Sequence, residues 1–111
     1  MDEPRVKAGI WVSAALRLGH ARGKPGMLLR RGDVDAGGVL VVLRGREGNM
    51  VLSQFRDAQG QLAWMRATGP TPVDERASEL YVSRQISHDS DLWVIEFDAP
   101  DYLPPFEGRV V

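Results

Sequence analysis

Five consecutive apolar residues, Val39-Leu40-Val41-Val42-Leu43, most constrain what this chain can fold into. Side chains alternate between the two faces of a strand, so a run without a polar break is apolar on both. Such a strand needs cover on both sides, which places it inside a sheet and not at its edge. A dense charged corner leads into it: Arg30-Arg31-Gly32-Asp33-Val34-Asp35-Ala36-Gly37-Gly38. A second corner, Asp89-Ser90-Asp91, opens Leu92-Trp93-Val94-Ile95. Two acidic corners that each feed a buried strand either mark the mouth of one site or are how the fold turns.

The rest of the chain supplies partners for that strand. Met27 to Arg30 reads as a strand after the Arg22-Gly23-Lys24-Pro25-Gly26 turn. Gly45 to Asn49 is a hairpin loop, Met50 to Phe55 a strand, Asp57 to Gly60 a turn, and Leu62 to Ala67 a further strand, which together make an antiparallel meander. Thr71-Pro72-Val73-Asp74 is a helix start, with Thr71 as cap and Pro72 in the first turn. Val73, Ala77, Leu80, Tyr81 and Arg84 then form the helical stripe, predicting a helix over about residues 72 to 87. Val6 to His20 alternates with period two and is expected as a strand, favoured by Gly19 and Gly23. Trp11, Ala14, Ala15 and Leu18 in the same segment also fit a helix.

The expected class is α+β: a mostly antiparallel sheet of five or six strands, hairpin plus meander, with one main helix on one face. Residues 1 to 98 are read as a single domain and residues 99 to 111 as a proline-stiffened tail, since Pro100, Pro104 and Pro105 prevent helix and ladder there. The second face then needs the tail, an N-terminal helix or a second subunit as cover. A homo-oligomer or an unidentified protein partner is expected on that ground.

The 111 residues suit one domain, and the formal net charge of -1 gives no global attraction to nucleic acid or anionic membrane. With no cysteine there is no disulfide framework, thiol nucleophile or thiolate metal site. Met1 to Arg5 lacks the apolar core of a signal peptide, so a cytoplasmic location is expected.

Taken together, the Arg-Arg-Gly-Asp-x-Asp-Ala-Gly stretch at residues 30 to 37, Trp64 with Arg66, and Asp-x-Asp-Leu-Trp-Val-x-Glu from Asp89 to Glu96 resemble a small bacterial family of unknown function, DUF1491. The likeness runs from about Ile10 to Glu96. It implies no catalytic residue, cofactor or substrate.

The residues offer three kinds of chemistry. Asp33 with Asp35, and Asp89 with Asp91, supply oxygen ligands of the kind Mg²⁺ or Ca²⁺ prefers, yet aspartates also bond their own turns, and no metal or cofactor is assigned. Glu96, a carboxylate in an apolar strand, suits proton transfer or an ion pair with Arg66 or Arg84. Arg30, Arg31, Arg44, Arg46, Arg66 and Arg84 would grip an anion if they converged, with Trp11 and Trp64 for base stacking. The interspersed acids argue for a solvated face instead. His88 is placed to meet a helix C-terminus. The expectation is a non-enzymatic binding or interaction module that uses Arg30, Arg31, Asp33, Asp35, Arg66, Asp89, Asp91 and Glu96. The alternatives are a small metal-dependent or acid/base enzyme built on the two corners, and a nucleotide or nucleic-acid binder built on the arginines.

Overall fold

The Val39 to Leu43 run is a strand buried on both faces, as its composition demands. The structure, a computed structural model, describes residues 6–111; Met1 to Arg5, read above for a targeting signal, lie outside the described residues. Among the described residues the order is α1 (Ala8–Ala21), β1 (Gly26–Arg30), β2 (Val39–Gly45), β3 (Gly48–Arg56), β4 (Leu62–Arg66), α2 (Glu75–His88), β5 (Trp93–Asp98) and β6 (Arg109–Val110). The strands form one sheet in the order β1-β5-β2-β3-β4-β6. Pairings β1 with β5, β2 with β3 and β3 with β4 are antiparallel; β2 with β5 and β4 with β6 are parallel. The class is α+β, with a mixed and mostly antiparallel sheet. The β2-β3-β4 meander is as expected, and β5, reached through α2, inserts between β1 and β2.

Val6 to His20, expected as a strand, is instead the helix α1. Its polar residues, Lys7, Ser13, Arg17 and His20, are spaced so that the apolar ones satisfy both periods, and alanine and leucine tip the balance to helix. Ala8, Val12, Ala15 and Gly19 are its buried stripe. Gly19, read as a mark of strand, is where the helix meets the sheet: a Cβ there would lie 2.5 Å from the Lys24 carbonyl oxygen and 2.6 Å from the Phe97 ring. With α1 on one face and α2 on the other, both sides of β2 are covered within one chain.

Helix α2 is where the sequence placed it, but its cap and its phase differ. Asp74, not Thr71, is the N-cap, its carboxylate accepting from the Ala77 N–H at 2.7 Å. Pro72 and Val73 stay outside the helix, because Val73 exchanges backbone hydrogen bonds with Asn49 at the start of β3. The face turned to the sheet carries Ser78, Tyr81, Val82 and Ile86, leaving Leu80 50% exposed. A buried hydrogen bond from the Asn49 amide to Ser78 Oγ, 3.0 Å, sets that phase, and the small serine lets the helix approach β3 closely.

Residues 99–111 pack onto the α1 face, but not as a tail without a ladder: Ala99 to Tyr102 makes a turn closed by the Tyr102 N–H on the Ala99 carbonyl at 2.8 Å, and Arg109–Val110, beyond the last proline, pairs with β4 as β6. Ala99 and Phe106 are buried, and the Phe106 ring sits 5.0 Å from both Trp11 and Trp64. Lys24 pairs with Asp101 at 2.9 Å and donates to the Leu103 carbonyl, while Arg22 donates to the Pro105 carbonyl. The Tyr102 hydroxyl accepts from the Glu47 N–H and donates to the Gly48 carbonyl, each at 3.0 Å, closing the chain over the β2-β3 turn. Trp11 is half-buried in this aromatic cluster.

Candidate functional site

The two acidic corners meet. The Asp33 N–H donates to the Asp91 carbonyl at 3.0 Å, and the Trp93 indole N–H donates to the Asp33 carbonyl at 2.7 Å. This backbone contact needs glycine: a Cβ on Gly32 would lie 2.2 Å, and one on Gly37 2.3 Å, from the Asp91 carbonyl oxygen. The glycines of the first corner are therefore there so that the second can lie against it. Arg30 reaches across to the Ser90 and Leu92 carbonyls at 2.9 and 2.7 Å, and the Arg31 guanidinium sits 5.9 Å from the Trp93 ring centre.

Two of the four carboxylates, Asp33 and Asp89, turn back onto their own loops. Asp33 Oδ1 accepts from the Asp35 and Ala36 N–H groups, both at 2.9 Å, and the Ala36 bond is the chief cause that holds its pKa below the usual carboxylate range. Asp89 Oδ1 accepts from the Asp91 N–H at 2.9 Å. Asp35 is exposed and lies 3.5 Å from Lys7. The first corner also caps α1, since the Val34 and Asp35 carbonyls accept from the Gly9 and Ala8 N–H groups, and the Asp89 N–H bonds the Gln85 carbonyl at the end of α2. Both helices and strands β1, β2 and β5 are thus joined at this junction. Among the described residues no group of three or more His, Cys, Asp or Glu is placed to hold a metal ion.

Two residues singled out with the corners stand elsewhere. Glu96 lies on β5 five residues beyond Asp91, about 17 Å along the strand. Its partner is neither Arg66 nor Arg84 but Arg44, at 3.0 Å, because β2 runs parallel beside β5; this pairing holds the Arg44 pKa above its ordinary value. Arg66 is on β4, three strand spacings or roughly 14 Å from β5. The arginines consequently do not converge, and Trp11 and Trp64 pack on each other with 5.4 Å between ring centres rather than on a base. His88 Nδ1 lies 2.8 Å from the Arg84 carbonyl, at the C-terminus of α2 as expected.

A groove opens beside the junction, about 1030 Å³ in volume, between the start of α1, the Asp35 to Val39 segment and the β3-β4 hairpin. Trp11 and Leu62 contribute apolar wall, and Gln54, Gln59 and Gln61 contribute side-chain amides. Sequence reasoning missed this surface, because the hairpin read only as a turn and the α1 wall read as a strand. The one signal available was glutamine on either side of the Asp57 to Gly60 turn.

The fold recurs in solved structures. A crystal structure of a DUF1491 family protein from Caulobacter crescentus CB15 is 28% identical, covers 96% of this chain and 100% of its own, and superposes with a TM-score of 0.85. An NMR structure of a DUF1491 family protein from the same organism is 26% identical over 98% of this chain and 99% of its own, with a TM-score of 0.84. The solution structure of Atu0922 from A. tumefaciens, 20% identical over 93% of each chain with a TM-score of 0.79, shares the fold. No functionally curated protein matches. The sequence model described as protein of unknown function (DUF1491) matches residues 6–107, from the start of α1 through the buried Phe106. The chain that builds this glycine-lined junction belongs to the DUF1491 family.

Proposed function

We propose that this chain is a non-catalytic binding module that receives an extended segment of a partner protein in the groove beside the corner junction. One observation supports the reading: the Asp33 and Asp89 carboxylates are hydrogen-bonded to their own turns, whereas the groove beside them is lined by Gln54, Gln59, Gln61 and Trp11, with Asp35 and Arg56 as its charged residues. Amides that both donate and accept match the backbone of an extended peptide, and aromatic wall supplies sequence-tolerant apolar contact. At about 1030 Å³ the groove is at the upper end of the range for a small-molecule pocket and is open along its length. The acid/base alternative needs Glu96 with the corners, and the nucleic-acid alternative needs an arginine cluster; the distances above favour neither.

The test is selection from a random linear peptide display library, followed by NMR mapping of an enriched peptide on the labelled chain. Shifts should concentrate at residues 35–39 and 54–62, and Gln61→Lys should abolish them while leaving the rest of the spectrum in place. Shifts that map to α2, or a library from which nothing is enriched, would count against the groove.

A further inference from the structure

We infer that the free edge of β1 joins the β1 edge of a second copy of this chain, extending the sheet across a two-fold axis. The two edges of the sheet differ. At one end β6 is only two residues long, which blunts it as a template for pairing. At the other end β1 is five residues, and Met27, Leu28 and Leu29 are 56%, 44% and 48% exposed in succession.

Edge strands of soluble proteins are ordinarily guarded by outward charges. Here the flanking cations are turned onto their own chain: Lys24 is held by Asp101 and the Leu103 carbonyl, Arg30 by the Ser90 and Leu92 carbonyls, and Arg31 lies over Trp93. The apolar triplet is left without a guard.

The register follows from the ladder. The Pro25 carbonyl accepts from the Asp98 N–H at 3.0 Å, so Pro25 and Met27 direct their backbone groups toward β5, and by alternation Gly26 and Leu28 direct theirs outward. An antiparallel copy related by a two-fold at Met27 sets Gly26 opposite Leu28 and Leu28 opposite Gly26. All four outward donors are then paired, and the register stops short of the bulge after Leu28.

Charge also favours an antiparallel copy. The C-terminal end of β1 carries Arg30 and Arg31 but is ringed by four acids, Asp33, Asp35, Asp89 and Asp91, and its N-terminal end follows Arg17, Arg22 and Lys24, with Asp101 as the acid beside them. A two-fold brings the acidic end of one copy to the basic end of the other. The short ladder puts the interface below about 1,200 Å², in the range of weak, reversible association.

Sedimentation velocity over a concentration series tests this, together with one cysteine variant. The wild-type chain should pass from monomer to dimer with rising concentration. Met27→Lys, and Leu28→Pro, which removes an outward N–H and leaves the β5 pairing intact, should remain monomeric with unchanged circular dichroism. Because the chain has no cysteine of its own, Met27→Cys should form an interchain disulfide faster than Leu103→Cys, a comparably exposed control outside β1. A wild type that stays monomeric to roughly millimolar concentration overturns the proposal. So does a dimer that survives Met27→Lys, since another face would then be holding it, and so does a Met27→Cys chain that cross-links no faster than the control. Should Leu28→Pro fail to fold, Met27→Lys decides.

Discussion

The two faces of the sheet are covered by different means. On one, α1 and the C-terminal segment close over Trp64, Trp93, Phe97 and Phe106, an aromatic core assembled from both ends of the chain. On the other, α2 lies on four aliphatic residues, Leu40, Val42, Val51 and Val94, through the half-buried Tyr81, Val82 and Ile86. Aromatic side chains bury the largest areas per residue, so the first face holds the larger share of the stability and the second holds a helix in place. The acidic corners belong to both, since they fasten the start of α1 and the end of α2.

Truncation should expose that asymmetry. Trp64→Ala removes a side chain that is 0% exposed and should cost about 3–5 kcal/mol, enough to leave a small domain marginal by urea unfolding. Phe106→Ala should approach that cost although it lies in the C-terminal segment, because its ring closes the gap between Trp11 and Trp64. If Phe106→Ala is neutral, the segment is an accessory and the asymmetry rests on α1 alone. Trp64→Phe is a sharper probe. The Trp64 indole N–H is buried without a partner among the described residues, and relieving an unpaired donor offsets part of the lost packing, so this change should cost clearly less than Trp64→Ala.

On the opposite face Ile86→Ala should cost about 1–2 kcal/mol, below the range for a fully buried isoleucine because Ile86 is only half-buried. An equal loss for Ile86→Ala and Phe106→Ala would erase the distinction between the faces. Asp74→Ala removes the hydrogen bond to the Ala77 N–H and should cost about 1 kcal/mol, the usual worth of an N-cap. Both variants should unfold in one transition with the wild type, since α2 folds on a sheet already held from behind.

What the sequence made legible follows the same division. The β2-β3-β4 meander and the position of α2 were readable because their period and turn chemistry agree locally. The helix α1 was misread because its apolar residues satisfy both periods, and the approach of Gly19 to Phe97 that distinguishes them is a contact across 78 positions of chain. The phase of α2 was missed for a like reason: a buried Asn49 to Ser78 hydrogen bond overrode the apolar stripe. At the site, the corners were legible as a pair, and their meeting was not, because it runs through backbone atoms that side-chain spacing does not report. For Glu96 an ion pair was one of two readings open, with Arg66 or Arg84 as partner; that the partner is Arg44 follows only from the parallel register of β2 with β5.

The smallest expected effect probes the aromatic face by pH. Asp101 is held below the usual carboxylate range first by the hydrogen bond from Lys24, against a slight opposing effect of burial, and it fastens the C-terminal segment to the turn after α1. Asp33 is lowered by its own turn and belongs to the junction instead. A carboxylate whose folded pKa lies below its unfolded value adds stability that is complete above the unfolded value and is lost as pH falls through the folded one. The contribution of each is therefore intact at neutral pH and disappears below about pH 4. Both groups are solvent-exposed, so the loss is modest and screened by salt. Asp101→Asn should flatten part of the decline in urea midpoint between pH 6 and pH 3, and the flattening should vanish when Phe106→Ala has already released the segment. If Asp101→Asn flattens the decline equally in both backgrounds, the ion pair acts on Lys24 alone and does not hold the aromatic face closed.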